Sequence, residues 1–263
     1  MHCPEIILLS GTPGTGKTSI SRILEELYDW RIFALGDFIL DKKLYISTDE
    51  INNTKIIDTE KAAIEGLKEI LKIGFNYNHK INIDHKLEAN KMVIVVESHY
   101  SDIIIDGLQS YHHTTTDLEY KSKIIRQKLV ENCISKYIIG DNLIAFVMRC
   151  DPTILEKRLI DRGYSTDKVL ENVQAEILNE GTVNMVEVMK KNKIFEIDTS
   201  KYTGNETAEI IHEIFENQEY GRERFSLGNI NWILKLINND NLNKYFKKDL
   251  GMKKEIDLNR KND

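Results

Sequence analysis

Residues 5–28 read EIILLSGTPGTGKTSISRILEELY, and the fold follows from this run. Glu5 to Leu9 is an apolar stretch of the kind that forms a strand buried on both faces of a sheet. Gly11 to Thr18 then satisfies G-x-x-x-x-G-K-[ST] at Gly11, Gly16, Lys17 and Thr18, and a helix-period segment runs from Thr18 to Tyr28. A glycine-rich turn between strand and helix aims successive backbone N–H groups, and the helix N-terminus, at one point. That point is an anion site. Gly14 and Gly16 let the backbone approach phosphate oxygens, Lys17 reaches the β- and γ-phosphates, Thr18 offers its hydroxyl to Mg²⁺, and Ser19 sits beside it in the first helical turn. The N-K-x-D pattern that reads guanine is missing, so the expected ligand is ATP with Mg²⁺, although no residue encodes an adenine contact.

Outward from this loop, three further apolar runs rich in β-branched residues read as buried parallel strands: Met92 to Glu97, Leu143 to Arg149 and Lys193 to Asp198. Arg31 to Ala34 is a weaker fifth. Helix-period segments separate them at Asp58 to Ile73, Asp117 to Ile138, Pro152 to Asp161, Ser165 to Lys191 and Asn205 to Asn217. The alternation predicts an α/β protein of the P-loop NTPase class, with three α/β/α layers around a mostly parallel five-stranded sheet. We expect one main domain over residues 1–217, with insertions near 74–91 and 106–142 that add no strand and a lid near 161–171. Residues 218–263 form a C-terminal extension in which Gly228 to Ile237 is a short helix and the part from Asn238 onward is mobile.

Composition narrows the class. Hydrophobic residues make up 41% and charged residues 30% of the 263, values that exclude disorder. A net charge of −6 gives no overall basic footprint for nucleic acid or an anionic membrane, and the basic excess after Lys244 reads as a solvated tail rather than an RNA contact. No apolar stretch approaches the ~20 residues of a membrane helix, and the N-terminus lacks the features of a signal peptide. Cys3, Cys133 and Cys150 are an odd number at wide spacing, which argues against a disulfide framework or a zinc site and for a cytoplasmic location. His112 and His113 are adjacent and therefore diverge on any ordered element; an exposed loop is their expected place.

Glu97-Ser98-His99 ends an apolar strand, where ligands of open α/β sheets bind. A carboxylate there holds a metal through water or orients an attacking water, and His99, two residues on, is a candidate partner for it.

The loop, Leu35-Gly36-Asp37, Glu97-Ser98-His99 and the stretch from Arg149-Cys150-Asp151-Pro152 through Arg158, Arg162-Gly163-Tyr164 and Glu171-Asn172 to Glu176 together resemble the adenylate kinase isoenzyme 6 family, most of all its archaeal branch. The likeness spans about Glu5 to Asn217 apart from the insertions. It implies an adenylate-kinase-like fold, nucleoside monophosphate kinase and ATPase activity, and a part in small ribosomal subunit maturation with a platform ribosomal protein as partner. It places Arg162 on the ATP phosphates and Gly36, Asp37 and Arg158 among the substrate-binding residues. A planar, always-charged guanidinium suits such a lid. Two departures stand out. Eukaryotic members carry Asp-x-His where this chain has Glu97-Ser98-His99, and Leu40 occupies the place of an arginine three positions beyond the aspartate, with only Lys42 and Lys43 following. An assembly ATPase switch and a small-metabolite kinase on the same fold are the alternatives.

Overall fold

The computed structural model describes residues 3–49, 54–83, 91–114, 133, 135–137 and 142–246. In chain order it runs β1 (Glu5–Ser10), α1 (Lys17–Tyr28), β2 (Arg31–Ala34), α2 (Leu35–Asp41), β3 (Tyr45–Asp49), β4 (Thr54–Ile57), α3 (Thr59–Ile83), β5 (Val93–Glu97) and α4 (Ile103–Thr114). There follow β6 (Leu143–Arg149), α5 (Pro152–Asp161), α6 (Thr166–Ile177), α7 (Glu180–Val188), a 3₁₀ turn, β7 (Ile194–Asp198), α8 (Gly204–Glu216), α9 (Gln218–Arg222), α10 (Trp232–Asn238) and α11 (Leu242–Phe246).

All five expected strands pair in one parallel sheet, in the order β2-β5-β1-β6-β7. The central strand β1 explains the layers. Ile6 and Leu8 point to one face, where they meet Leu35, Leu67, Ile70 and Ile104, while Ile7 and Leu9 point to the other, against Leu24, Ile211 and Ile214. Each such aliphatic side chain, fully buried, contributes about 1.5–3 kcal/mol relative to exposure, which is why an unbroken apolar run at the sheet's centre is decisive. The register also places the chemistry. Leu9 lies opposite Glu97, so the loop after β1 and the end of β5 leave the sheet side by side.

A third cluster lies outside the three layers. Leu155 and Leu159 of α5 and Val169, Val173 and Ile177 of α6 pack with Trp232, Leu236 and Tyr245 of the C-terminal segment. Asp151 starts α5 as its N-cap, accepting from the Thr153 amide at 2.8 Å, with Pro152 at the first helical position. The expectation of mobility from Asn238 onward does not hold through Phe246: Tyr245 is 2% exposed and its carbonyl accepts from the Gln174 side chain at 2.6 Å.

Other expectations are corrected. Ser165 to Lys191 is two helices, because Asn179 turns left-handed at φ 60°, a conformation that asparagine tolerates better than most residues. The helix α3 continues through residues 74–83 of the first expected insertion. His112 and His113 lie on α4 rather than on a loop. Cys3 and Cys133 form a disulfide: their Cα atoms lie 5.3 Å apart although 130 residues separate them, and the nearby Tyr137 hydroxyl donates to the Pro4 carbonyl at 2.9 Å. The expected helix at Asp117 to Ile138 lies outside the described residues except for Cys133 and 135–137, which are helical.

Gly107 marks the closest approach of α4 to α3, since a Cβ built there falls 2.6 Å from the Ala63 carbonyl oxygen. Backbone cannot yield as a side-chain tip can. Gly107→Ala should therefore destabilise the chain by about 1–3 kcal/mol, with a lowered Tm in thermal unfolding and little change in nucleotide affinity; an unchanged Tm would show that the two helices can part freely.

Candidate active site

The phosphate loop owes its shape to three glycines with positive φ, Gly11, Gly14 and Gly16. Gly14, at φ 94°, lies on the apolar top of α5, where an added Cβ would come 2.8 Å from Leu155 and 3.0 Å from Leu159. Gly16, at φ 98°, opens α1 with no side-chain cap, leaving the first amides of that helix directed toward the cleft. Lys17 folds back over the loop, and its Nζ donates to the carbonyls of Gly11 at 2.7 Å and Thr12 at 3.1 Å. Burial lowers its pKa to about 8 from the ordinary 10.5; Glu97 and Glu176 oppose that shift and Arg162 adds to it.

Beside the loop, the Glu97 carboxylate accepts from the Thr18 hydroxyl at 2.6 Å on one oxygen and from the Ser21 hydroxyl at 3.0 Å on the other. A carboxylate and a hydroxyl side by side are hard oxygen donors, the chemistry that Mg²⁺ takes alongside nucleotide phosphates. Ser21 escaped the sequence reading. It lies three residues past the motif, and only the strand register reveals that it meets Glu97. Among the described residues no group of three or more His, Cys, Asp or Glu is arranged to hold a metal, so a cation here would draw on Thr18, Glu97 and the nucleotide itself.

One cleft of about 750 Å³ gathers most of the expected residues: Gly14, Gly16, Lys17, Thr18 and Ser19 from the loop, Gly36 and Asp37 from α2, Glu97 and His99 after β5, and Arg162 at the end of α5. The β3–β4 hairpin, unforeseen from sequence, closes it with Thr54, Lys55 and Ile57. Ser98 makes the turn after β5, its hydroxyl accepting from the Tyr100 amide at 3.0 Å. His99 then faces the cleft with its ring 3.8 Å from that of Tyr100 and one side open to water. Desolvation by the walls, with the charges of Lys17 and Lys168, lowers its pKa to about 4, so the imidazole is neutral at physiological pH. Arg158 stands apart from this group. Its guanidinium donates to the Thr199 carbonyl at 3.1 Å and to the Gly14 carbonyl at 3.4 Å, strapping α5 to the loop from behind.

Residues 7–179 match a family model described as an AAA domain. The chain is 31% identical over 232 residues to the Methanosarcina acetivorans protein named "Putative adenylate kinase", covering 87% of this chain and 97% of that protein. The Methanocaldococcus jannaschii protein of the same name is 31% identical over 226 residues, covering 86% and 92%. Among solved structures, shikimate kinase from Acinetobacter baumannii aligns with 82% of this chain and 95% of its own at 14% identity, with a TM-score of 0.45. Thymidylate kinase from Candida albicans aligns over 83% and 93% at 16% identity, with a TM-score of 0.40.

Fold, cleft and relatives together define a P-loop phosphotransferase. No helix among its described residues is long and apolar enough to cross a membrane. Within the AAA-domain family, the chain belongs to the family of the Methanosarcina and Methanocaldococcus proteins named "Putative adenylate kinase".

The lysine predicts a pH signature. With Lys17 titrating at about 8 in the free chain, bound phosphates favour its charged form and raise that value, so ATP binding above pH 8 must take up a proton. Calorimetry in buffers of different ionisation enthalpy should show uptake approaching one proton at pH 9 and little at pH 7. Affinity should fall by up to about tenfold per pH unit above 8. Proton release at pH 9 would contradict the assignment.

Proposed function

We propose that this chain transfers the γ-phosphoryl group of ATP to AMP or another nucleoside monophosphate, and hydrolyses ATP slowly when water occupies the acceptor's place. The observation that carries the reading is one shared cleft, in which Lys17, Thr18 with Glu97, and Arg162 stand on one side and α2 with the β3–β4 hairpin on the other. The loop side suits a triphosphate. The far side suits an acceptor: a Cβ at Gly36 would meet nothing within 4 Å, so internal packing does not demand that glycine. Lys55 lines this side of the cleft, where the arginine expected at position 40 is replaced by Leu40, itself 51% exposed. Lys55 is the cation that we assign to the acceptor phosphate in its stead.

In the transfer, an oxygen of the acceptor's phosphate attacks the γ-phosphorus in line as the bond to the β–γ bridging oxygen breaks, giving ADP and a nucleoside diphosphate. Lys17 leaves the loop carbonyls for the β- and γ-phosphates, and Arg162 brings a second positive charge to the transferred group. Both act where negative charge spreads in the transition state. Mg²⁺, held through Thr18 and Glu97, supplies further neutralisation of the phosphate charge when bound. For hydrolysis, Glu97 and the neutral His99 are the groups that orient water; a histidine free of its proton at pH 7 can accept a hydrogen bond from it.

Coupled assays with ATP alone, and then with each monophosphate, test the reading. Monophosphate-dependent ADP formation should exceed the rate with ATP alone. Arg162→Ala should cut kcat by about 10³-fold with Tm unchanged, because its side chain lines the cleft and works on the transition state. Turnover on a small metabolite and on no monophosphate would overturn the acceptor assignment.

We further propose that the chain assists small-subunit ribosome maturation with a platform ribosomal protein. The support is the family resemblance, together with a net charge of −6 that complements a basic partner. Titrating such a protein into the nucleotide-free, ADP-bound and ATP-bound chain should give different affinities, with the reciprocal effect on ATP that linkage requires. No binding in any state would leave the kinase activity without that partner.

A further inference from the structure

Glu176 takes no part in the transfer just described, yet it joins three distant parts of the chain. It is 2% exposed. Its Oε2 accepts from the Thr12 hydroxyl, within the phosphate loop, at 2.8 Å. Its Oε1 accepts from Arg149 Nε at 2.7 Å, from the Trp232 indole N–H at 2.9 Å and from the Cys150 amide at 3.2 Å. One oxygen therefore receives three donors from behind while the other is turned onto Thr12. A buried indole N–H needs a partner, and Trp232, 4% exposed, has this one. The carbonyl that Thr12 presents is the one that holds Lys17 at 3.1 Å and accepts the Thr15 hydroxyl at 2.9 Å. The orientation of the loop backbone, and of the lysine parked on it, thus runs back through Glu176 to the C-terminal segment.

The same segment holds the lid side. Lys235, one turn beyond Trp232, has its Nζ 2.6 Å from Asp151, the N-cap of the helix that ends at Arg162. Lys244 pairs with Glu156 on that helix, and the Tyr245 hydroxyl donates to the same carboxylate at 3.1 Å. Helix α10 therefore reaches the phosphate loop through Glu176, and α10 and α11 hold the lid helix directly.

We propose that Glu176 and Trp232 are positioning residues for the ATP phosphates: the C-terminal segment, through the indole N–H, fixes the carboxylate that fixes Thr12 and the loop. The inference rests on the nucleotide reading above. Neither residue touches substrate, and the acceptor side of the cleft lies outside their reach.

The test is a double-mutant cycle on ATP affinity by calorimetry, with the monophosphate KM and Tm measured on every variant. Thr12→Val removes the hydroxyl at nearly constant shape, and Trp232→Phe removes the indole N–H while keeping an aromatic ring. Each should weaken ATP by about threefold to tenfold and leave the monophosphate KM unchanged. Because both act through one carboxylate, the double variant should be little weaker than the worse single one, although the two side chains share no contact. A second measurement guards against a variant that fails to fold. The chain has two tryptophans, so Trp30→Phe leaves Trp232 as the sole indole, and its emission should change on ATP addition and not on AMP addition. Multiplicative losses in the cycle, a silent Trp232, or equal losses for ATP and monophosphate tracking a lowered Tm would each overturn the proposal. A wild-type chain that binds no ATP overturns the nucleotide reading and this one with it, whereas normal ATP binding with a multiplicative cycle overturns this one alone.

Discussion

Arg149 buries a guanidinium beneath the phosphate loop with 1% of its side chain open to solvent, and much of the structure is arranged to make that tolerable. Burial alone would oppose its charge; the carboxylates of Glu176 and Glu196 more than offset this and raise its pKa. Its donors also reach the Glu176 carbonyl at 3.0 Å and the Asn179 side chain. Losing one partner from such a buried set leaves an uncompensated charge, a loss of about 3–5 kcal/mol. The positions that satisfy Arg149 come from the end of α6, the left-handed turn after it and strand β7. The charge therefore fixes how the lid helices meet the sheet.

That demand explains a feature that is otherwise odd. A left-handed Asn179 interrupts a segment whose apolar period would carry a helix straight on, at a local cost. The turn brings the asparagine side chain onto Arg149 and lets Thr182, at the start of α7, donate to Glu196 at 2.6 Å. Local preference yields to the burial of an ion. Glu196 completes the circuit by accepting from the Gly228 amide at 3.0 Å, so the C-terminal segment is held by the same charge cluster that supports the loop.

How much of this was legible in the sequence depends on the range of the interaction. The loop, its flanking strand and helix, and the three long apolar runs are local patterns, and all of them appear. Sheet order was beyond reach, since nothing in Met92 to Glu97 says that it pairs with β1 in a register that sets Glu97 opposite Leu9. The β3–β4 hairpin escaped because it packs little: Ile46 is 74% exposed and Ile56 50%, so neither strand shows the alternation that marks a buried face. Glu176 was read as part of a family motif, but its contact with Thr12 spans 164 residues and its contact with Trp232 spans 56. The wide spacing of Cys3 and Cys133 hides their disulfide, because sequence separation constrains a bridge only after the fold has brought the chain together.

The contacts of Lys17 tie it to the charge network. Its ammonium leans on two loop carbonyls, which are partial charges, and desolvation lowers its pKa to about 8. A polyphosphate bound there would face the lysine with full negative charge and offset the desolvation, so a share of its binding energy would come from a lysine that the fold keeps under-solvated. An uncharged ligand end would gain nothing comparable and would strip the lysine of its carbonyl partners. On the proposed reading, a desolvated Lys17 would favour an anionic ligand, and only while the Gly11 and Thr12 carbonyls are held in place. Thr12 is held by Glu176, and Glu176 by Arg149, which returns the selectivity of the cleft to the buried ion beneath it.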